Sequence, residues 1–511
     1  MLNRARRPQE PPTRRRWERW TDIGLGAFVV LLVVTIEVTN RNFWFDEAMV
    51  YQAVAGQGWL APGQPMALFE QTMPYGVYVL DKLLVDAFGL NEIVLRLPSL
   101  IAFVVGILAL RRAARMIETA LGRLCAVLAG GLAMWVVWEA GMFKHYAFEY
   151  AAGALILATG VTLVRERFST RALGWFFAVS VLALPFSNTA VIATASVGAT
   201  AVLISWVADR PALVRARLPL VLLGGGYLAV FLLSYLLVVK PAAVYQLSLP
   251  VYDSVGLGAL VNGVLSIYAP TGKPLFLLFG TAVLVVVAAG AVVGRRRDAE
   301  AWYPYLVLVA AMAAMAVATV LGLSPFSKPR HVLFVTPAIG LALGSAVSTL
   351  QQAVAGWTNR STVVRLLAVG LVAASVAGVL GVAFYGAARR QEEVGRVLAA
   401  GDAACSATYT AYSYQPAAQM YVARDRLGIE LEGLVPTRSG LGSQSWLQQV
   451  RDNMPAYQAR AVDYFRREGS GCLLSGPRPA KDDLLVPLQQ AGISCAPIER
   501  AAGIGLYRCA A

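Results

Sequence analysis

Two adjacent carboxylates, Asp46 and Glu47, stand in the run Phe43-Trp44-Phe45-Asp46-Glu47-Ala48, just beyond the first apolar stretch of the chain. Three aromatics ahead of them suit the boundary between hydrocarbon and water. A carboxylate there either has its proton affinity raised by desolvation or has its charge held by a cation, and either condition suits a general base. The pair also suits a helix start, with Asp46 as N-cap of a short helix ending near Gly56 and Glu47 in its first turn. A second group, Lys144-His145-Tyr146 with Glu149, puts ionisable residues beside another apolar segment, where such residues usually have partners or a role. On a helix Tyr146 and Glu149 share a face, while Lys144 points elsewhere. A third group, Ser327-Lys328-Pro329-Arg330-His331, concentrates two fixed cations at the mouth of a further apolar segment. An anion fits there, because Arg presents a planar fork to phosphate oxygens and Lys a point charge. Lys144, Lys328 and Arg330 could equally snorkel toward lipid headgroups. His145 and His331 are the only histidines, and their spacing resembles no metal-ligand motif. The chain has no Gly-x-x-x-x-Gly-Lys-Ser/Thr loop, so nothing points to direct use of ATP.

The elements that must hold these groups are membrane helices. Of 511 residues, 57% are hydrophobic and 14% charged, against roughly 25% charged in soluble domains. Windows of about 20 apolar residues, the length that crosses a bilayer, recur at 22–38, 93–110, 121–138, 147–164, 172–187, 189–207, 219–239, 274–293, 302–322, 332–350 and 363–385. The expected fold class is therefore an all-α polytopic membrane protein of about eleven transmembrane helices. Its net charge of +14 would fit a nucleic-acid partner, but the basic residues are distributed by topology instead. With the arginine-rich N-terminal tail inside, the inner segments hold 22 Lys and Arg and the outer loops seven. That count puts residues 1–21 in the cytoplasm, the transmembrane domain at 22–385, and the tail, 386–511, outside the cell's inner (plasma) membrane. The first span has a basic leader but no small-residue cleavage site after it, so it reads as an uncleaved helix. Residues 39–92 form a large outer loop in which Val77, Leu80, Leu84 and Ala87 oppose Asp81, Lys82 and Asp86, a pattern for a helix lying on the membrane. Residues 240–273 form a second long outer loop. Glycines 224–226, inside a span, suit helix packing.

The tail alternates helix-like stretches (416–427, 445–468, 481–490) with strand-like ones (407–412, 429–435, 471–475, 503–508), as in a small extracytoplasmic α/β domain. Gly428 and Gly469 sit where helix C-terminal glycines are expected. Four cysteines, Cys405, Cys472, Cys495 and Cys509, fall in this tail, and in an oxidising compartment they make two disulfides, with three connectivities possible. Cys125 lies in an apolar span and reads as inert packing.

As a set, these motifs resemble the GT-C superfamily of polyprenyl-phosphate-sugar glycosyltransferases, nearest the protein mannosyltransferase and lipid A aminoarabinose transferase relatives. The match rests on Phe43-Trp44-Phe45-Asp46-Glu47-Ala48, on Gln71 and Pro74 in Glu70-Gln71-Thr72-Met73-Pro74, on Leu95-Arg96-Leu97-Pro98-Ser99, on the Lys-x-Tyr element of Lys144-His145-Tyr146 and on Arg330 before the span that bears Pro337. It covers roughly residues 20–350, and it departs at Glu149, where the closest relatives would carry Asp. The resemblance implies a GT-C-like fold and a donor sugar linked through phosphate to a polyprenyl chain, cleaved on the outer face with inversion. It implies Asp46 as base with Glu47 as helper, Lys144, Lys328 and Arg330 on the donor phosphate, and Gln71, Tyr146, Glu149 and His331 on the substrates. The acceptor would be a lipid, a glycan or a protein, with membrane lipids around the protein and no nucleic acid. No cofactor is certain; members differ in divalent-metal dependence, and Asp46 is the residue that would hold such an ion. The competing expectation is a transporter or flippase for a lipid-linked or anionic solute, which would show related halves and ionisable groups near the bilayer midplane.

Overall fold

The computed structural model describes residues 45–60, 72–241, 256–268, 274–294, 298–321, 328–354, 394–401, 404–411, 414–434, 453–475, 484–501 and 504–511, with single positions elsewhere such as Phe43, Leu68, Phe69 and Phe326. Gln71 and the expected span at 363–385 lie outside the described residues, and the span at 22–38 is described at only a few positions.

Thirteen helices among the described residues build the membrane part: α1 (Phe45–Ala55), α2 (Tyr75–Phe88), α3 (Glu92–Ala114), α4 (Ala120–Gly131), α5 (Met134–Ala140), α6 (Tyr146–Arg165), α7 (Thr170–Ala183), α8 (Ala190–Ala208), α9 (Arg210–Ser234), α10 (Leu257–Leu265), α11 (Pro274–Val293), α12 (Tyr303–Val320) and α13 (Thr336–Val354). Six helical segments are long and apolar enough to cross a membrane, and α4 with α5, bent by 56° at their junction, makes a seventh candidate. The apolar window at 121–138 is thus a broken span. Its bend falls at Leu132 and Ala133, and Ala133 leaves helical geometry. Helices α7 and the described part of α11 are shorter than a full crossing. The loop expected at 240–273 contains the additional helix α10. Along α9, Leu218, Val221, Leu222, Leu228, Leu232 and Leu233 are all exposed. So large an uncovered apolar face is stable only against hydrocarbon.

Small residues let the central helices approach backbone to backbone. A Cβ on Gly340 would lie 2.6 Å from Gly130 Cα, and one on Gly344 would lie 2.3 Å from Gly122 O, so α13 and α4 meet along a glycine seam. A Cβ on Gly153 of α6 would lie 2.2 Å from Phe334 O, in the 3-10 turn Pro329–Val335 that precedes α13. Gly225 and Gly226, by contrast, have nothing within 4 Å. Of the glycines expected to pack at 224–226, Gly224 alone does so, against the Phe177 ring of α7, and the closest helix approaches occur at these other glycines.

Helix α2 corrects the expected amphipathic pattern. Its buried face is Val77, Tyr78, Asp81, Lys82 and Val85, while Leu83 and Phe88 are exposed. Asp81 and Lys82 thus turn inward with Val77 and Val85, and Lys82 pairs at 2.7 Å with Asp86, which stays exposed. Burial pushes the Asp81 carboxyl well above its ordinary range.

The C-terminal domain contains α14 (Val394–Gly401), β1 (Ala407–Thr410), α15 (Gln415–Asp425), β2 (Glu430–Glu432), α16 (Met454–Glu468), β3 (Ser470–Ser475), α17 (Leu485–Gln490), β4 (Ser494–Ala501) and β5 (Ile504–Ala510). Its five strands run in the order β2-β1-β3-β5-β4. Strands β1, β2 and β3 pair in parallel, and β5 runs antiparallel to β3 and β4. The edge strand β4 was not among the expected strands. It carries Pro497 and an irregular register between Pro497 and Glu499, which an edge tolerates and which hides its alternation. Helix α15 ends before the expected Gly428, with Arg426 at φ 52° as its cap, so that Ile429 reaches the core. Gly469 closes α16 as expected, at φ 72°. The disulfides are Cys405–Cys472 and Cys495–Cys509, and Cys125 is free and buried.

The C-terminal domain packs directly on α1. Phe43, Val50 and Val54 share one apolar cluster with Val394, Leu398 and Tyr421. Phe43 N donates to Tyr421 Oη at 2.9 Å, Gln52 Nε2 donates to Pro416 O, and Arg424 pairs with Glu92 at 2.8 Å.

Candidate active site

Helix α1 starts at Phe45, so Asp46 and Glu47 both occupy its first turn, and its end at Ala55 agrees with the expected stop near Gly56. Neighbouring positions on a helix point about 100° apart and do not share a face. The two acids accordingly have different surroundings. Glu47 is fully buried. It accepts two hydrogen bonds from Arg96, from Nε at 2.9 Å and Nη2 at 2.8 Å, and one from Phe143 N at 2.6 Å. Arg96 in turn lies 5.1 Å from the Phe43 ring, which stacks on Phe143 at 5.4 Å. Glu47 therefore fastens α1 to the N-terminal part of α3 and to the segment between α5 and α6.

Asp46 faces cations. Arg330 Nη1 donates to Asp46 Oδ2 at 2.8 Å, and Lys144 Nζ lies 3.8 Å from the same oxygen. Burial alone would raise the Asp46 carboxyl, but Lys144, Arg330 and Lys328 outweigh it and hold it at about 2. Burial lowers the Lys144 ammonium, with Asp46 opposing that shift. Lys144 is held in place from behind, where Ser99 Oγ donates to its carbonyl at 2.9 Å. The Arg330 guanidinium sits 5.4 Å from the Tyr146 ring, and its buried Nε donates to no acceptor among the described residues. His331 and His145 flank Tyr146, with ring centroids 6.0 Å and 4.2 Å away. Burial first, then Lys144, His331 and Arg330, push the His145 imidazole well below its ordinary range.

The structure thus brings Asp46, Lys144, Arg330, Tyr146 and His331 together, with Lys328 exposed close by. Glu149 points away from this centre. It accepts from Ser187 Oγ, Thr189 Oγ1, Asn188 N and Thr189 N, and so caps the start of α8 from the side of α6. Sequence reasoning missed Glu139, a buried acid at the end of α5 within electrostatic reach of Arg330, Lys144 and Asp46. A lone acid at the end of an apolar run was the signal that could have found it. Arg96 was noticed as part of a motif, but not as the partner of Glu47.

A divalent ion does not fit Asp46 as it stands, because Arg330 and Lys144 already neutralise it. Among the described residues no group of three His, Cys, Asp or Glu side chains could hold a metal. The centre lies at one end of the bundle, since Arg96, Tyr146 and Arg330 all sit at the starts of their helical segments. At the same end, Leu84, Leu97, Ile101, Phe148, Leu182 and Phe186 line an apolar cavity of about 650 Å³.

No protein-family model matches the chain, and no curated protein matches it. Among solved structures it is similar to ArnT from Cupriavidus metallidurans in the apo state, at 15% identity over 95% of this chain and 98% of that one, with a TM-score of 0.56. The same protein bound to undecaprenyl phosphate aligns at 14% identity over 95% and 97% of the two chains, with a TM-score of 0.55. The apo oligosaccharyltransferase from Archaeoglobus fulgidus aligns less well, at 10% identity over 88% and 69% of the chains, with a TM-score of 0.47. The two ArnT structures show that this chain has their fold, a multi-pass membrane fold with a small C-terminal domain.

Proposed function

From that shared fold we propose that the chain is a membrane glycosyltransferase, moving a sugar from a polyprenyl-phosphate donor to an acceptor hydroxyl with inversion. The observation that carries this is the meeting of Asp46 with Arg330 and Lys144 at one end of a bundle whose fold, in ArnT, holds undecaprenyl phosphate. Two cations suit a phosphate, and the apolar cavity beside them suits a polyprenyl chain. The acceptor oxygen attacks the anomeric carbon while the bond from that carbon to the phosphate oxygen breaks, its electron pair leaving with the phosphate. The acceptor proton goes to Asp46. One displacement gives one inversion. Phosphate leaves as a stabilised anion, so no general acid is needed and electrostatic stabilisation by Arg330 and Lys144, with Lys328 nearby, is the main contribution. Glu47 acts as a positioning residue for Asp46, and Glu149 as one for α6. Tyr146 and His331 border the substrates, and Gln71 is assigned there by resemblance.

The distribution of basic residues supports an outer-face site in the inner membrane, with the N-terminus cytoplasmic and the C-terminal domain extracytoplasmic. The position of the ionisable centre at an end of the bundle rather than at its middle speaks against the transporter alternative. The test is purified protein incubated with a panel of polyprenyl-phosphate sugars and candidate acceptors. Asp46→Asn should lower transfer by about 10² to 10⁴-fold, the usual contribution of a positioned base. Donor consumption equal to that of the unmutated protein would overturn the assignment of Asp46.

A further inference from the structure

The two ion pairs of the Asp46-Glu47 dipeptide are built differently. Glu47 and Arg96 are sealed, each with 1% of its side chain exposed, and are joined by two parallel hydrogen bonds plus one from Phe143 N. Asp46 and Arg330 keep 16% and 21% of their side chains exposed and share a single hydrogen bond, with Lys144 standing off at 3.8 Å. Among the described residues Arg330 Nε, although buried, has no acceptor. Asp46 thus meets the guanidinium through Nη1 alone, while Nε lies on its other edge, the edge that Arg96 turns to Glu47, and offers a phosphate a donor that Asp46 does not use. The first pair is made to stay, and the second can exchange.

We propose that Asp46 is the resting occupant of the anion site, and that the donor's phosphate displaces it from Arg330 and Lys144. This rests on the glycosyltransferase reading and adds an order of events to it. While paired, Asp46 is a feeble base, since the neighbouring cations hold it at about 2, far from the pH at which a base works best. Arrival of the donor takes the cations away and puts an anion beside the carboxylate, and both changes raise its proton affinity. The acceptor is therefore activated only after the donor is in place. Before displacement the carboxylate competes with the ligand, so apparent affinity for any lipid phosphate is reduced by the fraction of sites in which the cations are engaged.

The experiment measures binding of undecaprenyl phosphate, without sugar or acceptor, to the purified full-length protein and to Asp46→Asn and Asp46→Ala. Both variants should bind about tenfold more tightly than the unmutated protein, the gain expected if the cations are free only about one-tenth of the time. Alanine cannot donate to phosphate, so the same gain in both variants comes from losing the competitor. Equal or weaker binding in variants that melt at the unmutated midpoint would overturn the exchange while leaving the glycosyltransferase reading intact. No binding by any of the three proteins would overturn that reading instead. A second measurement needs no variant. Carbodiimide labelling of Asp46, followed by peptide mass spectrometry, should rise several-fold when undecaprenyl phosphate is added. Unchanged or reduced labelling would overturn the exchange.

Discussion

Asp46 and Glu47 differ by one position and one methylene, yet the fold gives them separate tasks. Glu47 is a buried anion whose compensation comes chiefly from Arg96, and removing one partner of such a pair leaves a buried charge uncompensated. Glu47→Ala should therefore destabilise the protein by about 3 to 5 kcal/mol, whereas replacing Glu47 and Arg96 together by apolar residues of similar volume should recover much of that loss. Thermal unfolding in detergent measures both, and equal destabilisation by the single and double changes would refute the assignment. The cationic and acidic types of Asp46, Lys144 and Arg330 were legible in the sequence, since charges beside apolar segments stand out. Which acid of the pair meets which cation was not. That is decided by a 100° step along α1 and by the approach of two segments from far along the chain. Glu139 escaped notice for a related reason, because its neighbours along the chain are apolar and its charged neighbours are remote in sequence.

At the scale of elements, the apolar windows located most of the helices, because a membrane-spanning helix must satisfy its backbone internally and clothe itself in apolar side chains. They did not reveal the bend between α4 and α5, helix α10, or the 3-10 turn that carries Arg330. A window average is insensitive to where a helix breaks. The seams between helices were also hidden, for glycines 224–226 look better suited to packing than Gly153 or Gly340, and only contact tells them apart. Gly153 is the sharpest case, because a methyl group there meets the backbone of Phe334. Gly153→Ala should shift the turn bearing Arg330 and cost about 1 to 3 kcal/mol, as overpacking does. Its thermal midpoint should fall, and its affinity for undecaprenyl phosphate should change with it. Unaltered values of both would show that the turn accommodates the methyl.

At the scale of the whole molecule, the C-terminal domain is part of the site's support. Its helix α15 holds the helix of Asp46 through Tyr421 and Pro416, and holds the start of α3 through Arg424. The α/β character of the tail was legible from alternating helix-like and strand-like stretches, and its cysteines from their number. Its docking was not, since Tyr421 is one aromatic among many until Phe43 N is found bonded to it. Tyr421→Phe removes that acceptor and should lower kcat several-fold with little change in KM for the donor, if Asp46 is misaligned while the cations stay put. A change in KM alone would assign Tyr421 to donor binding instead.

The glycine seams bear on how such a site can move. Arg330 rides on a turn pressed against α6 through Gly153, and the helix that follows is keyed to α4 through Gly340 and Gly344, where backbone approaches backbone. Asp46 is likewise pinned by its neighbour Glu47. On the proposed exchange, the anions would trade places between these two banks by rotation about the side-chain bonds of Asp46, Lys144 and Arg330. With the described backbone around them packed so closely, the waiting time of the reaction would follow the arrival and departure of lipids in the plane of the membrane.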